Sequence, residues 1–263
     1  MKLLNLGCGK RYRPGWNNVD FSSDSKDVLA CNLSEGILFT DETFDLVYHS
    51  HLIEHFQKSN APLFMEECYR VLKPGGIVRV ATPDLESIAR DYLKYLDEAM
   101  EGNTMAKANY DWIMLEMYDQ TVRNVSGGEM AKYFQQEQII NEEYIYRRIG
   151  SEGRKIREYF REHRSQQDAS PGNLFRKMGS RLLNNEDEQF TGIGRSRRSG
   201  EIHQWMYDRF SLSRLLNESG FSSLEIRTAD ESYYPGWKNF NLDTEEDGSV
   251  YKPDSIFIEG IKL

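Results

Sequence analysis

The sequence contains no apolar run approaching the roughly 18 residues that a bilayer-crossing helix requires, which excludes a transmembrane helix. Its three cysteines, Cys8, Cys31 and Cys68, lack C-x-x-C spacing. That spacing suggests neither a disulfide framework nor a zinc site and implies reduced core thiols. An excess of positive charge is also missing. The formal net charge is -9, and general nucleic-acid binding needs a basic surface to displace phosphate counterions. The third glycine of the dinucleotide fingerprint G-x-G-x-x-G is absent as well, because Tyr12 stands three residues after Gly9. The opening MKLLNLGCGK leads into an apolar strand with no cleavage-type segment before it, so the expected location is cytoplasmic.

What is present is concentrated in LLNLGCGKRYRPGWNNVD, residues 3–20. Leu3 to Leu6 read as a buried strand. Gly7, Cys8 and Gly9 then allow a tight turn and a close backbone approach to a ligand. A second short strand ends on Asp20, where a carboxylate can accept both hydroxyls of a ribose. A nucleoside without phosphates fits this pattern better than a dinucleotide does.

Further along, DVLACNL, FDLVY and GIVRVA are strand candidates. APLFMEECYRVL, residues 61–72, has helical spacing, and the KPGG that follows reads as a sharp stop before the next strand. Strands alternating with helices imply a parallel sheet flanked by helices. With 263 residues, 39% of them hydrophobic, the chain suits one large domain or a domain with a sizeable insertion. Residues 86–200 read as mainly helical and carry arginines between Arg147 and Arg164 and in RSRR, Arg195 to Arg198. Those arginines either face an anionic substrate or lie on solvated faces paired with glutamates. Residues 165–200 read as a loop. Regular structure resumes with a helix over 210–219, closed by Gly220, and strands near 223–228 and 255–262. The connection 229–254 carries Tyr233, Tyr234, Trp237 and Phe240, which either wall a substrate pocket or pack within their own loop.

The glycine turn and following acid, the strand ending before S-H-x-x-E-H (Ser50 to His55) and R-V-L-K-P-G-G (Arg70 to Gly76) together resemble the type 11 group of class I S-adenosylmethionine-dependent methyltransferases. The resemblance covers roughly residues 1–86 and resumes near Glu201. It implies an α/β fold with a Rossmann-like, mostly parallel seven-stranded sheet, helices on both faces and a helical insertion. The methyltransferase core would comprise residues 1–85 and 201–263, with 86–200 as a substrate cap. It also implies S-adenosylmethionine as cofactor and a small-molecule or saccharide-linked substrate.

By position, the resemblance puts Gly7, Cys8 and Gly9 along the methionine and ribose side, Asp20 on the ribose hydroxyls, and His49 with Ser50 beside the methionyl group. Asn32 falls near the adenine amino group, with Leu33 beside it. Asn5 stands where relatives often carry Asp or Glu, which would weaken a link to the donor's ammonium. Methyl transfer from a sulfonium requires no metal; where it needs a base, His203 is the first candidate and His51 the second, followed by Asp84, with Tyr207 orienting substrate. A donor-binding protein without turnover is the alternative function. A more distant one is a zinc peptidase, since His51 to His55 also spells H-x-x-E-H.

Overall fold

The computed structural model describes residues 1–163 and 200–263. RSRR and nearly all of the expected 165–200 loop lie outside the described residues. The chain divides into two compact units, Met1–Ser87 with Gln204–Leu263, and Ile88–His203. Among the described residues no helix is long and apolar enough to cross a membrane.

The first unit is built on a seven-stranded sheet. Its strands are β1 (Leu3–Leu6), β2 (Asn17–Asp20), β3 (Val28–Ala30), β4 (Phe44–Ser50), β5 (Leu72–Pro83), β6 (Phe221–Arg227) and β7 (Ser255–Lys262), in the order β3-β2-β1-β4-β5-β7-β6. Pairings from β3 to β5 are parallel, and β7 runs antiparallel to both β5 and β6. This is the expected α/β, mostly parallel architecture. The order reverses between β1 and β4, and open α/β sheets bind ligands at the carboxyl ends of strands flanking such a switch point.

Side-chain alternation divides the sheet into two faces. Leu4, Leu6, Val47, Val78, Val80 and Ile258 join one core cluster, covered by α1 (Ala61–Val71) and α6 (Arg209–Glu218). Helix α1 buries Ala61, Phe64, Met65, Cys68 and Val71, the helical spacing read from the sequence. Helix α6 begins one residue earlier than expected because Asp208 caps it, accepting the N–H groups of Phe210 and Ser211 while Ser211 Oγ receives the Asp208 N–H. The KPGG expectation needs correction. Residues 73–76 lie within β5 as an irregularity that moves the β4 pairing from Phe44↔Leu72 to Leu46↔Ile77. Gly75 supplies the positive φ of 77° that the detour requires.

The opposite face carries Leu3, Leu46, Tyr48 and the partly buried Ile77. Residues 7–16, which link β1 to its parallel neighbour β2, contain no helix. Part of this face is instead covered by the connection between β6 and β7. Trp237, 2% exposed, packs with Trp16, Leu242 and the partly buried Tyr234 and Phe240. Trp16 meets Trp237 edge-on at 6.4 Å and Phe240 at 5.0 Å. Of the aromatics found in the sequence, Tyr234, Trp237 and Phe240 are therefore a lid on the sheet itself, whereas Tyr233 lies against Arg227.

Arg79 of β5, fully buried, fastens that lid. Its Nε donates to Asp243 Oδ2 at 2.7 Å and its Nη1 to Glu259 Oε1 at 2.9 Å and Glu231 O at 2.8 Å. Its Nη2 donates to the carbonyls of Thr228 and Ala229. Tyr48 Oη donates to Asp243 Oδ1 at 2.6 Å, and the guanidinium lies 4.5 Å from the Trp237 ring centroid.

The second unit contains α2, which starts in the first unit (Leu85–Met100), α3 (Thr104–Val122), α4 (Gly128–Phe134) and α5 (Glu142–Glu162), interrupted at Gly150. Trp112, Phe134, Tyr144 and Ile145 form its core. Arg148 and Glu116 make a buried ion pair at 2.7 Å. Arg157 pairs with Glu142 and donates to the carbonyls of Phe134, Gln136 and Glu137. These two described arginines are thus structural braces.

Replacing Arg79 by Ala leaves Asp243 and Glu259 buried without their shared cation, a defect that typically costs about 3–5 kcal/mol. Urea unfolding of Arg79→Ala is expected to show a loss of that order, whereas a loss below about 1 kcal/mol would mean that the lid does not depend on this residue.

Candidate functional site

The glycine turn leaves β1 at the switch point. Gly7 and Gly9 have φ of 62° and 50°, in the left-handed region that side chains other than glycine seldom adopt. A Cβ on Gly7 would lie 2.9 Å from Leu52 Cδ1, whereas one on Gly9 would meet nothing within 4 Å. The backbone at Gly9 is therefore open to an approaching ligand. Cys8 N–H donates to Val19 O, and Gly9 N–H donates to Asp20 Oδ2 at 2.7 Å. The turn and the acid at the end of β2 are thus brought together as a single unit. Burial and the charge of Asp20 push the Cys8 thiol up to about 12, so it stays protonated at neutral pH.

Asn5 is 1% exposed, and its Nδ2 donates to Arg11 O at 3.2 Å and Asn18 Oδ1 at 3.4 Å. Asn18 in turn accepts the Arg13 N–H and donates to Arg13 O and Trp16 O. The Asn5 amide thus supports the backbone of the β1–β2 connection, a role in which a carboxylate would have no donor to offer. Asn32 caps the 3₁₀ turn Leu33–Glu35, accepting from Ser34 N–H and donating to Glu35 Oε1 at 2.7 Å. Leu33 is buried beneath it in the core.

His49 is fully buried on the helix-covered face, its ring edge-on to Phe64 at 5.2 Å. Neither ring nitrogen has a hydrogen-bond partner, and burial pushes its pKa down to about 3, keeping the ring neutral. Ser50, half-buried, ends β4. His51 follows with φ of 51°. Its Nε2 lies 2.7 Å from Ser255 Oγ, and its Nδ1 is 3.3 Å from Glu54 Oε1.

Glu54 is 1% exposed and accepts from Thr82 Oγ1 at 3.0 Å, while its main-chain carbonyl accepts the N–H groups of Gln204 and Trp205. Burial raises its carboxyl to about 7, against weaker opposing effects of backbone, Lys252 and Thr82. The H-x-x-E-H spelling does not form a zinc helix. Ile53–His55 is one 3₁₀ turn, and both ring nitrogens of His51 face protein partners. The sequence reading did not assign a role to Thr82, Ser255 or Gln204; the first two lie at strand ends, and Gln204 carries no local signal.

Asp84 accepts the N–H of Glu86 at the start of α2 and bridges to Tyr207. Burial and the neighbouring Glu54 push the Tyr207 phenol up to about 12. His203 belongs to the second unit, where it is buried and donates its backbone N–H to Gln120 O at 3.0 Å.

Residues 4–80 match the family model of the type 11 methyltransferase domain. Curated relatives include the mitochondrial ubiquinone biosynthesis O-methyltransferase of Mus musculus, 30% identical over 31% of this chain and 28% of that protein. A ubiquinone biosynthesis O-methyltransferase of Rhizobium johnstonii is 24% identical over 31% of this chain and 41% of its own. The chain therefore spans less than half the length of these relatives. A Thermotoga maritima structure described as an S-adenosylmethionine-dependent methyltransferase aligns with 100% of this chain and 82% of its own, at 12% identity and a TM-score of 0.41.

Two of the buried polar groups can be tested through stability. Glu54 titrates near 7 when folded, against an ordinary value of 4.5, so below pH 4.5 its protonation costs nothing. As pH rises from there through 7, the unfolded chain releases a proton that the folded chain retains, and stability falls by on the order of 3 kcal/mol. Denaturant unfolding between pH 5 and 8 should show this decline in wild type and not in Glu54→Gln; parallel profiles would refute it. Asn5→Asp sets a buried carboxylate against Arg11 O and Asn18 Oδ1 and should cost about 1–3 kcal/mol at neutral pH, read by the shift in urea midpoint.

Proposed function

We propose that this chain, whose residues 4–80 match the type 11 methyltransferase domain family, transfers a methyl group from S-adenosylmethionine to a small-molecule or saccharide-linked acceptor. The observation that carries the reading is the pairing of Asp20 with the Gly9 N–H at 2.7 Å beside backbone that a Cβ would not fill. A carboxylate oriented in this way suits two adjacent ribose hydroxyls, because one carboxylate accepts several hydrogen bonds. The residues fit a nucleoside without phosphates, in keeping with Tyr12 where the dinucleotide fingerprint has the glycine that lets its helix pack closely against the strand.

When bound, S-adenosylmethionine supplies a methyl already activated on a sulfonium. The chain's task is then to hold, orient and keep dry. On this reading Gly7, Cys8 and Gly9 border the donor, Asp20 holds the ribose, and Asn32, Leu33 and Ser50 lie along its margins. Cys8 stays a neutral thiol beside the positively charged donor. His51, with Nε2 on Ser255 Oγ and Nδ1 toward Glu54, would take an acceptor proton through the Ser255 hydroxyl rather than directly. The O-methyltransferase names of the curated relatives favour a small hydroxylated acceptor.

Calorimetry with S-adenosylmethionine and S-adenosylhomocysteine tests the reading. Wild type should bind both in the micromolar range, and Asp20→Ala should weaken each at least about tenfold through loss of charge-assisted hydrogen bonds. Absence of binding by folded wild type would overturn the assignment.

A further inference from the structure

We propose that Arg11 is a positioning residue for the donor site, acting from outside it by clasping the β6–β7 connection to the glycine turn. The proposal rests on the donor reading and adds a residue to it. No helix carries the backbone between Gly7 and Trp16, so its polar groups need partners other than a helical ladder. Arg11 meets this need on two sides. Through its main chain, its N–H donates to Cys8 O at 2.9 Å and its carbonyl accepts from Asn5 Nδ2. Through its side chain, Nη2 donates to the carbonyls of Asn241 and Thr244, both at 2.6 Å, and Nε to that of Leu242 at 3.2 Å.

The remaining contacts complete the clasp. Nη1 lies 3.2 Å from Glu245 Oε2, and the guanidinium carbon sits 3.8 Å from the centroid of the Tyr251 ring. Arg13 adds a bond to Asn241 O at 2.7 Å. The clasped segment is anchored on its other side, because Asp243 is buried against Arg79 and Tyr48. Arg11 therefore joins a fixed point on the sheet to Cys8, the middle residue of the glycine turn, whose carbonyl accepts the Arg11 N–H one position before Gly9.

Its planar fork of five donors is matched to three carbonyls and a carboxylate, and lysine cannot reproduce this. If the clasp is removed, residues 8–11 keep their hydrogen bonds to Asn5, Val19 and Asp20 and the Arg11 N–H to Cys8 O, but lose the side-chain link to the β6–β7 connection. The Gly9 N–H then holds Asp20 less firmly in one orientation, and ordering the turn becomes a cost of binding. The expected signature is weaker donor binding in protein that is still folded.

The test measures S-adenosylhomocysteine affinity by calorimetry at 15 °C, with the folded fraction verified by circular dichroism, for wild type, Arg11→Ala, Arg11→Lys, Glu245→Gln and Phe221→Leu. Phe221 is buried in the helix-covered core and serves as a destabilised control away from the turn. Arg11→Ala should bind about tenfold more weakly and Arg11→Lys should recover little of that loss. Phe221→Leu should stay within about twofold of wild type, the scatter expected of changes outside the clasp, and Glu245→Gln, which loses one ion pair of the clasp but retains every carbonyl contact, should weaken binding less than Arg11→Ala does. Unchanged affinity in folded Arg11→Ala overturns the proposal, as does full recovery in Arg11→Lys. If Arg11→Ala fails to fold, Arg11→Lys alone decides, because wild-type affinity there refutes the fork. Failure of wild type itself to bind overturns the donor reading instead, a distinguishable result.

Discussion

Residues 7–16 carry the chain from β1 to its parallel neighbour β2, fewer than the dozen or more that such a crossover usually takes with its helix. That short connection constrains the rest of the first unit. It leaves Leu3, Leu46, Tyr48 and Ile77 on a sheet face that no β1–β2 helix covers. Burial of apolar area is the main favourable term in folding, so the face must be closed by chain from elsewhere. The β6–β7 connection closes it with Trp237, Leu242, Tyr234 and Phe240, and Trp16 meets this cover from the crossover itself.

An irregular segment makes a poor cover on its own, because its main-chain carbonyls have no ladder to satisfy them. The arginines resolve this. Arg79 reaches three carbonyls and two carboxylates from inside the sheet, while Arg11 and Arg13 reach the carbonyls of Asn241, Leu242 and Thr244 from the crossover. A guanidinium suits the task because it presents several donors in one rigid plane. Burying Arg79 carries a large desolvation cost, and the pairing with Asp243 and Glu259 offsets it only because Tyr48, Ser232 and Tyr233 also hydrogen-bond those carboxylates. The short crossover and the buried charges are therefore two aspects of one solution.

Local patterns made much of this legible in advance. The apolar runs at Leu3–Leu6, Phe44–Ser50 and Ser255–Lys262 have strand periodicity, and Ala61–Val71 has helical periodicity, so the α/β architecture could be read without coordinates. The acid at Asp20 and the glycines before it were legible because their spacing is local. The clasp of Arg11 on residues 230 and more positions away is a non-local property with no periodic signal. The same is true of Glu54, whose shifted proton affinity comes from burial among segments distant in sequence. Asn5 is the instructive case. Viewed as a position in a motif it looks like a weakened ligand, yet it is the residue type required to donate to Arg11 O and Asn18 Oδ1 across the turn.

The two glycines of the turn further separate packing from binding. Both have positive φ, and both would be recorded alike in a G-x-G pattern. Gly7 is constrained by Leu52, whose methyl would clash with any Cβ, so its absence of a side chain serves the contact between the β1 and β4 ends. Gly9 has no such neighbour. Its approach is open and its N–H is bound to the Asp20 carboxylate, as the proposed donor site requires. A single three-residue turn therefore holds the switch point together at one glycine and leaves it accessible at the other.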